Sequence, residues 1–303
     1  MNNTKLRGIF PAFYACYDNE GKISAERTET FCRYLINKGI HGLYVGGSSG
    51  ECIYQSVEER KLQLESVMKV AKGKIPVIAH VACNNTADSC ELAAHAESLG
   101  VDAIAAIPPI YFHLPDHAIA AYWNAISASA PNTDFIIYNI PQLAGVALSP
   151  SCLKIMLENP RVIGVKNSSM PTMDIQTFKA IGGENFVVFN GPDEQLAAGL
   201  AMGADGGIGG TYGVMPELYL KIKESMDSGD VKNACELELK ANEIIAKLVS
   251  CHGNLYAVMK EIIKINNGID IGGVRSPLPA LIDDDMPKVR EAAALIDSVL
   301  KSL

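Results

Sequence analysis

Short runs rich in β-branched and aromatic residues recur along the first two-thirds of the chain, at 8–14, 41–47, 76–82, 102–108, 134–140, 162–168, 186–191 and 206–212. Each has the length and residue preference of a buried strand. Between these runs the apolar spacing changes to that of helices. Phe31, Tyr34, Leu35 and Lys38 line up ahead of Gly39, and Ser56 with Glu59 makes a capping box in front of Leu64, Val67, Met68 and Ala71. Gly39-Ile-His-Gly, Gly100-Val-Asp-Ala and Gly203-Ala-Asp-Gly form a weak internal repeat. Each puts glycine where a helix ends in a left-handed cap, just ahead of a strand.

Eight strand-then-helix units predict an α/β protein built as a closed (β/α)8 TIM barrel. An open doubly wound sheet would use fewer strands and carry a dinucleotide fingerprint after the first, which this chain lacks. Beyond Tyr212 only helical periodicity remains, with helices expected at 216–228, 231–249, 255–266 and 287–300. Residues 1–225 are assigned to the barrel and residues 226–303 to a C-terminal helical extension. No Ser- or Gly-rich linker separates them, so the extension is expected to pack on the barrel as one structural unit.

Composition narrows the function classes. A chain of 303 residues, 48% hydrophobic and with charges of both signs, can bury a full core. A net charge of −8 and a pI near 5.3 argue against a nucleic-acid partner, which needs clustered Lys and Arg. No apolar run is long enough to span a membrane, and Met1–Phe10 lacks the apolar core of a signal peptide, so a soluble cytoplasmic protein is expected. The eight cysteines include no C-x-x-C pair and are read as reduced, mostly buried thiols.

In a barrel of this class the polar residues that close each strand face one pocket. Four runs supply them: Gly46-Gly-Ser-Ser-Gly-Glu51, Tyr138-Asn-Ile-Pro141, Lys166-Asn-Ser-Ser169 and Asn190-Gly-Pro-Asp-Glu194. Lys166 closes Val162-Ile-Gly-Val, and an inward lysine in a β core must be neutralised, paired or used. Desolvation would bring it toward neutrality and make it an amine able to condense with a ketone. Read alone, the same lysine could equally reach solvent from a strand end. Tyr138 is a candidate proton carrier, or a core aromatic. Ser48 and Ser49, on a flexible turn, suit a carboxylate, or merely open the next helix. Asp193 and Glu194 could hold sugar hydroxyls or serve as helix N-terminal acids. Gly206-Gly-Ile-Gly-Gly210 reads as a pocket wall, with Gly209 and Gly210 open to a ligand. Two rival motifs are weaker. Gly46-Gly-Ser-Ser-Gly50 fits the serine-hydrolase elbow but finds only His252 as a late histidine. Pro115 breaks the helix that would align His113 with His117, so no metal is expected.

Taken together and in this order, the four strand-end motifs resemble the N-acetylneuraminate lyase and dihydrodipicolinate synthase family, over almost the whole chain. The resemblance implies a Schiff base at Lys166, proton handling by Tyr138 and capture of the pyruvyl carboxylate by Ser48 and Ser49. Ser168, Gly191, Asp193, Glu194, Gly209 and Gly210 would contact substrate. Leu143 stands where the synthase branch has an arginine, so the lyase branch is nearer. Ser49 replaces a usual threonine, Pro192 a frequent aromatic and Gly210 a common serine. The implied reaction is cleavage of N-acetylneuraminate to N-acetylmannosamine and pyruvate without a cofactor. The alternatives are another pyruvate-dependent aldolase or a non-catalytic sugar-acid-binding regulator. Tyr111, after Pro108-Pro-Ile, matches a tyrosine that family members lend to a neighbouring subunit, which implies an oligomer, expected to be a homotetramer. The expected partner is a small 2-oxo acid or sugar acid, with neither membrane nor nucleic acid.

Overall fold

The computed structural model describes residues 5–303. Eight strands form one parallel sheet: β1 Gly8–Pro11, β2 Leu43–Val45, β3 Val77–His80, β4 Ala103–Ala106, β5 Asp134–Asn139, β6 Val162–Asn167, β7 Val187–Asn190 and β8 Gly206–Gly209. They are neighbours in the order β1-β8-β7-β6-β5-β4-β3-β2. The remaining gap, between β1 and β2, is spanned by a parallel bridge from Ala12 to Tyr44. The Phe13 N–H also donates to the Tyr44 carbonyl at 2.8 Å. The architecture is a (β/α)8 barrel with added C-terminal helices.

All eight strands are shorter than the apolar runs that announce them. In the run 8–14, for example, the regular strand ends at Pro11 and only the isolated Ala12 bridge follows, yet Ala12, Phe13 and Tyr14 all stay buried. Apolar residues following a barrel strand pack beneath the loops, so burial outlasts strand pairing and the sequence pattern overestimates strand length.

The helices are α1 Ala25–Asn37, α2 Val57–Ala71, α3 Thr86–Leu99, α4 Asp116–Ala128, α5 Pro141–Ala144, α6 Pro150–Met156, α7 Met173–Gly182, α8 Leu196–Ala201, α9 Pro216–Asp227, α10 Val231–Leu248, α11 Leu255–Asn267 and α12 Met286–Lys301. The capping box of Ser56 and Glu59 opens α2. Such a cap is worth about 1 kcal/mol to a helix start. Gly39, Gly100 and Gly203 take φ of +81°, +78° and +95°, the left-handed values their repeat requires. α9 follows β8 and packs on β1, and a division at 225/226 would fall within its last turn. α10 packs on α8 and α9, and α12 on α10 and α11.

Strand side chains sort into two cores. Phe10, Tyr44, Ile78, Ile136, Phe189 and Ile208 fill the barrel interior. Ile9, Val45, Val77 and Val165 face outward and join a larger cluster that runs through the surrounding helices to Ile244, Val258 and Ile296 in the extension. The eight thiols are all free, but only Cys16, Cys32 and Cys152 are buried; Cys235 is exposed and the other four are half-buried. Most of the cysteines therefore sit at the edge of the core rather than inside it. Among the described residues no helix is long and apolar enough to cross a membrane.

Candidate active site

The carboxyl ends of β2, β3, β5 and β6 bring four side chains into one layer above the interior core: Tyr44, His80, Tyr138 and Lys166. Tyr138 and Lys166 are register partners across β5 and β6, so both point inward. Lys166 is 4% exposed. Its Nζ sits 4.0 Å from the centroid of the Tyr138 ring and 4.2 Å from that of Tyr44. The two rings meet edge to face at 5.7 Å. Burial lowers the Lys166 pKa to about 7, partly opposed by Asp193. The electron-rich ring faces accommodate the ammonium without supplying a counter-charge. The lysine is thus poised between its charged and neutral forms near neutral pH.

Burial pushes the Tyr138 hydroxyl up to about 12, offset in part by hydrogen bonding with Ser48 and Ser168. His80 completes the layer with its ring 6.0 Å from that of Tyr138. Its Nδ1 lies 2.9 Å from the Gly46 carbonyl, and its Nε2 accepts from the Ile107 N–H at 3.4 Å. Burial and the neighbouring Arg60 hold its pKa well below the usual histidine value, which leaves it neutral. Arg60 donates to the carbonyls of Ala82 and His80, each at 2.7 Å, and so ties the ends of the strands together.

Ser48 and Ser49 stand on a single tight turn, Ser48–Gly50, directly after β2. The following Glu51 takes a left-handed φ of +53°, unusual for a side-chain-bearing residue. That corner is held by a buried ion pair with Lys260 of α11 at 2.7 Å and by the Arg275 N–H at 2.9 Å. Ser49 Oγ donates to the Tyr256 hydroxyl at 3.1 Å.

Opposite this turn, the Asp193 carboxylate accepts from the Thr211 N–H at 2.6 Å and the Thr211 hydroxyl at 2.7 Å, both through Oδ2. Its Oδ1 is buried and unpartnered. Burial raises Asp193 to about 6, with the Thr211 bonds opposing. A Cβ on Gly209 would lie 2.0 Å from that free oxygen, and one on Gly191 would lie 2.0 Å from Ser168 Oγ. Glycine at both positions lets the Asp193 carboxylate and the Ser168 hydroxyl sit directly against the backbone. Glu194 is solvent-exposed at the rim. These groups line a cavity of about 250 Å³ that reaches from Ser48 and Ser49 past Lys166 to Asp193 and Glu194. It adjoins a larger space of about 550 Å³, sharing Ser48, Leu143 and Tyr256 with it.

The sequence profile of the Dihydrodipicolinate synthetase family matches residues 5–295. This chain belongs to that family. It is 64% identical over 295 residues to the N-acetylneuraminate lyase of Mediterraneibacter gnavus, covering 97% of this chain and 94% of that one. It is 34% identical to the N-acetylneuraminate lyase of Escherichia coli strain K12, covering 96% and 97% of the two chains. Among solved structures, the wild-type Ruminococcus gnavus sialic acid aldolase superposes with a TM-score of 0.98 at 63% identity, covering 98% of this chain and 99% of that one.

Within this family member, ten of the eleven residues singled out from sequence lie on or against one cavity: Lys166, Tyr138, Ser48, Ser49, Ser168, Gly191, Asp193, Glu194, Gly209 and Gly210. Tyr111 does not. It is 86% exposed, has a φ of +85° and meets Phe112 edge to face at 5.0 Å, in a separate groove with Asn84, Pro109 and Leu114. His252 pairs with Asp285 in the extension, outside the residues that line the Ser48 cavity. Sequence reasoning missed Tyr44, His80 and Tyr256. His80 ends β3 and was open to the same strand-end logic as Lys166, whereas Tyr44 is the middle residue of β2 and reads as core. Tyr256 comes from the first turn of α11, and no local pattern ties that helix to the barrel mouth.

Proposed function

We propose that the chain is a class I aldolase that cleaves N-acetylneuraminate to N-acetylmannosamine and pyruvate through an imine at Lys166. The observation that carries the mechanism is the Lys166 amine itself: buried, facing the cavity, cushioned by two aromatic rings and without a carboxylate in contact. Substrate identity is supported by the extended similarity to N-acetylneuraminate lyases.

The open-chain sugar acid enters with its carboxylate on Ser48 and Ser49. The neutral Lys166 amine adds to the ketone carbon, and with uptake of one proton, given back at the final hydrolysis, water leaves to give a protonated imine. Tyr138, within reach of Ser48 and Ser168, relays the proton taken from the hydroxyl β to the former ketone. The carbon–carbon bond breaks, its electron pair flows into the imine to form an enamine, and the released carbonyl becomes the aldehyde of N-acetylmannosamine. The enamine takes up a proton on carbon, and water hydrolyses the resulting imine to pyruvate and free Lys166. Water lost in the first step is regained in the last. Asp193 Oδ1 and Glu194 are placed to accept hydroxyls of the polyol tail, beside Gly191, Gly209 and Gly210. The exposed pair Tyr111 and Phe112 is assigned to a contact between copies of the chain in a homotetramer, testable by sedimentation.

Pyruvate release from N-acetylneuraminate, followed with a coupled dehydrogenase, tests the assignment. Stoichiometric pyruvate and N-acetylmannosamine are expected. Binding without release would favour a sugar-acid-binding regulator, and trapping of pyruvate without cleavage of this sugar would favour another aldehyde partner.

A further inference from the structure

α10 carries a carboxylate on its buried face. Ala234, Leu237, Ala241, Ile244, Ile245 and Leu248 form its apolar stripe, and Glu238 sits among them at 8% exposure. Its two oxygens accept from the Ala197 N–H at 3.0 and 3.2 Å. Ala197 lies in the first turn of α8, whose start at Leu196 directly follows the turn Asp193–Gln195. Four residues along the same face of α10, Asn242 Nδ2 donates to the Glu194 carbonyl at 3.2 Å. The extension therefore grips the chain at residues 194 and 197, while Thr211 holds the Asp193 side chain from the other side. A carboxylate buried on an apolar stripe is costly, and burial raises Glu238 to about 7, offset by the backbone donors of α8. A leucine would fill the space at lower cost but would leave those donors unpaired.

Resting on the aldolase reading, we propose that Glu238 is a positioning residue for the acid turn: it anchors the start of α8 and thereby sets where Asp193 and Glu194 meet the polyol end of the substrate. It touches neither the imine nor the carboxylate pocket. Its loss should affect recognition of the sugar and spare attachment of pyruvate.

The experiment compares Glu238→Ala and Glu238→Gln with the unmodified protein in both reaction directions, alongside borohydride trapping of pyruvate on Lys166. Glu238→Ala should raise KM for N-acetylneuraminate and for N-acetylmannosamine about tenfold, with KM for pyruvate and the extent of trapping within about twofold. Glu238→Gln keeps an acceptor oxygen and should recover most of the loss. An equal rise in KM for pyruvate, or no rise for either sugar, would overturn the proposal. If Glu238→Ala does not fold, Asn242→Ala should raise the two sugar KM values about twofold to threefold and leave pyruvate unchanged, and no change there would overturn it. Failure of the unmodified protein to cleave or trap would refute the aldolase reading itself, and this inference with it.

Discussion

Two lysines, Lys166 and Lys260, are buried in this molecule at 4% and 2% exposure, and desolvation lowers the pKa of each. Their surroundings differ. Lys260 donates to Glu51 at 2.7 Å and to the Gly273 carbonyl at 2.6 Å, so its charge is matched and its donors are used. Lys166 faces two tyrosine rings and an open cavity, with Asp193 acting on it only through space. Burial alone therefore does not make a nucleophile. A buried lysine with a carboxylate partner fastens the extension to the loop after β2, and one without a partner can give up its proton near neutral pH, as the proposed chemistry requires.

The most severe way to break this contrast is Lys166→Ala, expected to remove turnover to the limit of detection in the coupled pyruvate assay, with an unchanged circular dichroism spectrum. Tyr138→Phe keeps the aromatic wall but removes the hydroxyl. Its kcat should fall by about 10²–10⁴-fold while borohydride still traps pyruvate on Lys166. Loss of trapping would mean that the hydroxyl, not the ring, sustains the amine. Lys260→Met strands the buried Glu51 carboxylate and should cost about 3–5 kcal/mol in denaturant unfolding, whereas the double variant Glu51→Gln/Lys260→Met should recover much of it.

The smallest effect is the pH response. The proposed mechanism uses the neutral Lys166 amine, so kcat/KM should fall about tenfold per pH unit below about 7 and level off above it. Below about 6 the decline should steepen as Asp193 takes up a proton. The stability effect of Lys166 has a definite sign. Its folded pKa lies below the unfolded value of about 10.4, so between the two the unfolded chain binds more protons and stability rises with pH. Lys166→Met should therefore raise the melting temperature at pH 7 and below, and a fall there would argue that the lysine is paired.

Much of this was legible in the sequence because local rules govern it. Ser56 and Glu59 cap α2, and Gly39, Gly100 and Gly203 close helices, through contacts a few residues long. Lys166 and Tyr138 could be placed at one barrel mouth because parallel strands put their carboxyl ends on the same side. The contacts that complete the site were not legible, because they join distant segments. Ser49 meets Tyr256 across 207 positions and Glu51 meets Lys260 across 209. Nothing in the pattern of α11 says which of its faces meets the loop after β2. Strand ends were overestimated for the opposite reason, since apolar residues remain buried beyond the last ladder bond.

The most direct test of the central claim is to incubate the protein with N-acetylneuraminate, reduce with borohydride and locate the adduct by peptide mass spectrometry. A reduced pyruvyl adduct on the peptide containing Lys166, and none on that containing Lys260, is the predicted result. Labelling of Lys260, or no lysine labelling in a protein that still releases pyruvate, would contradict the account.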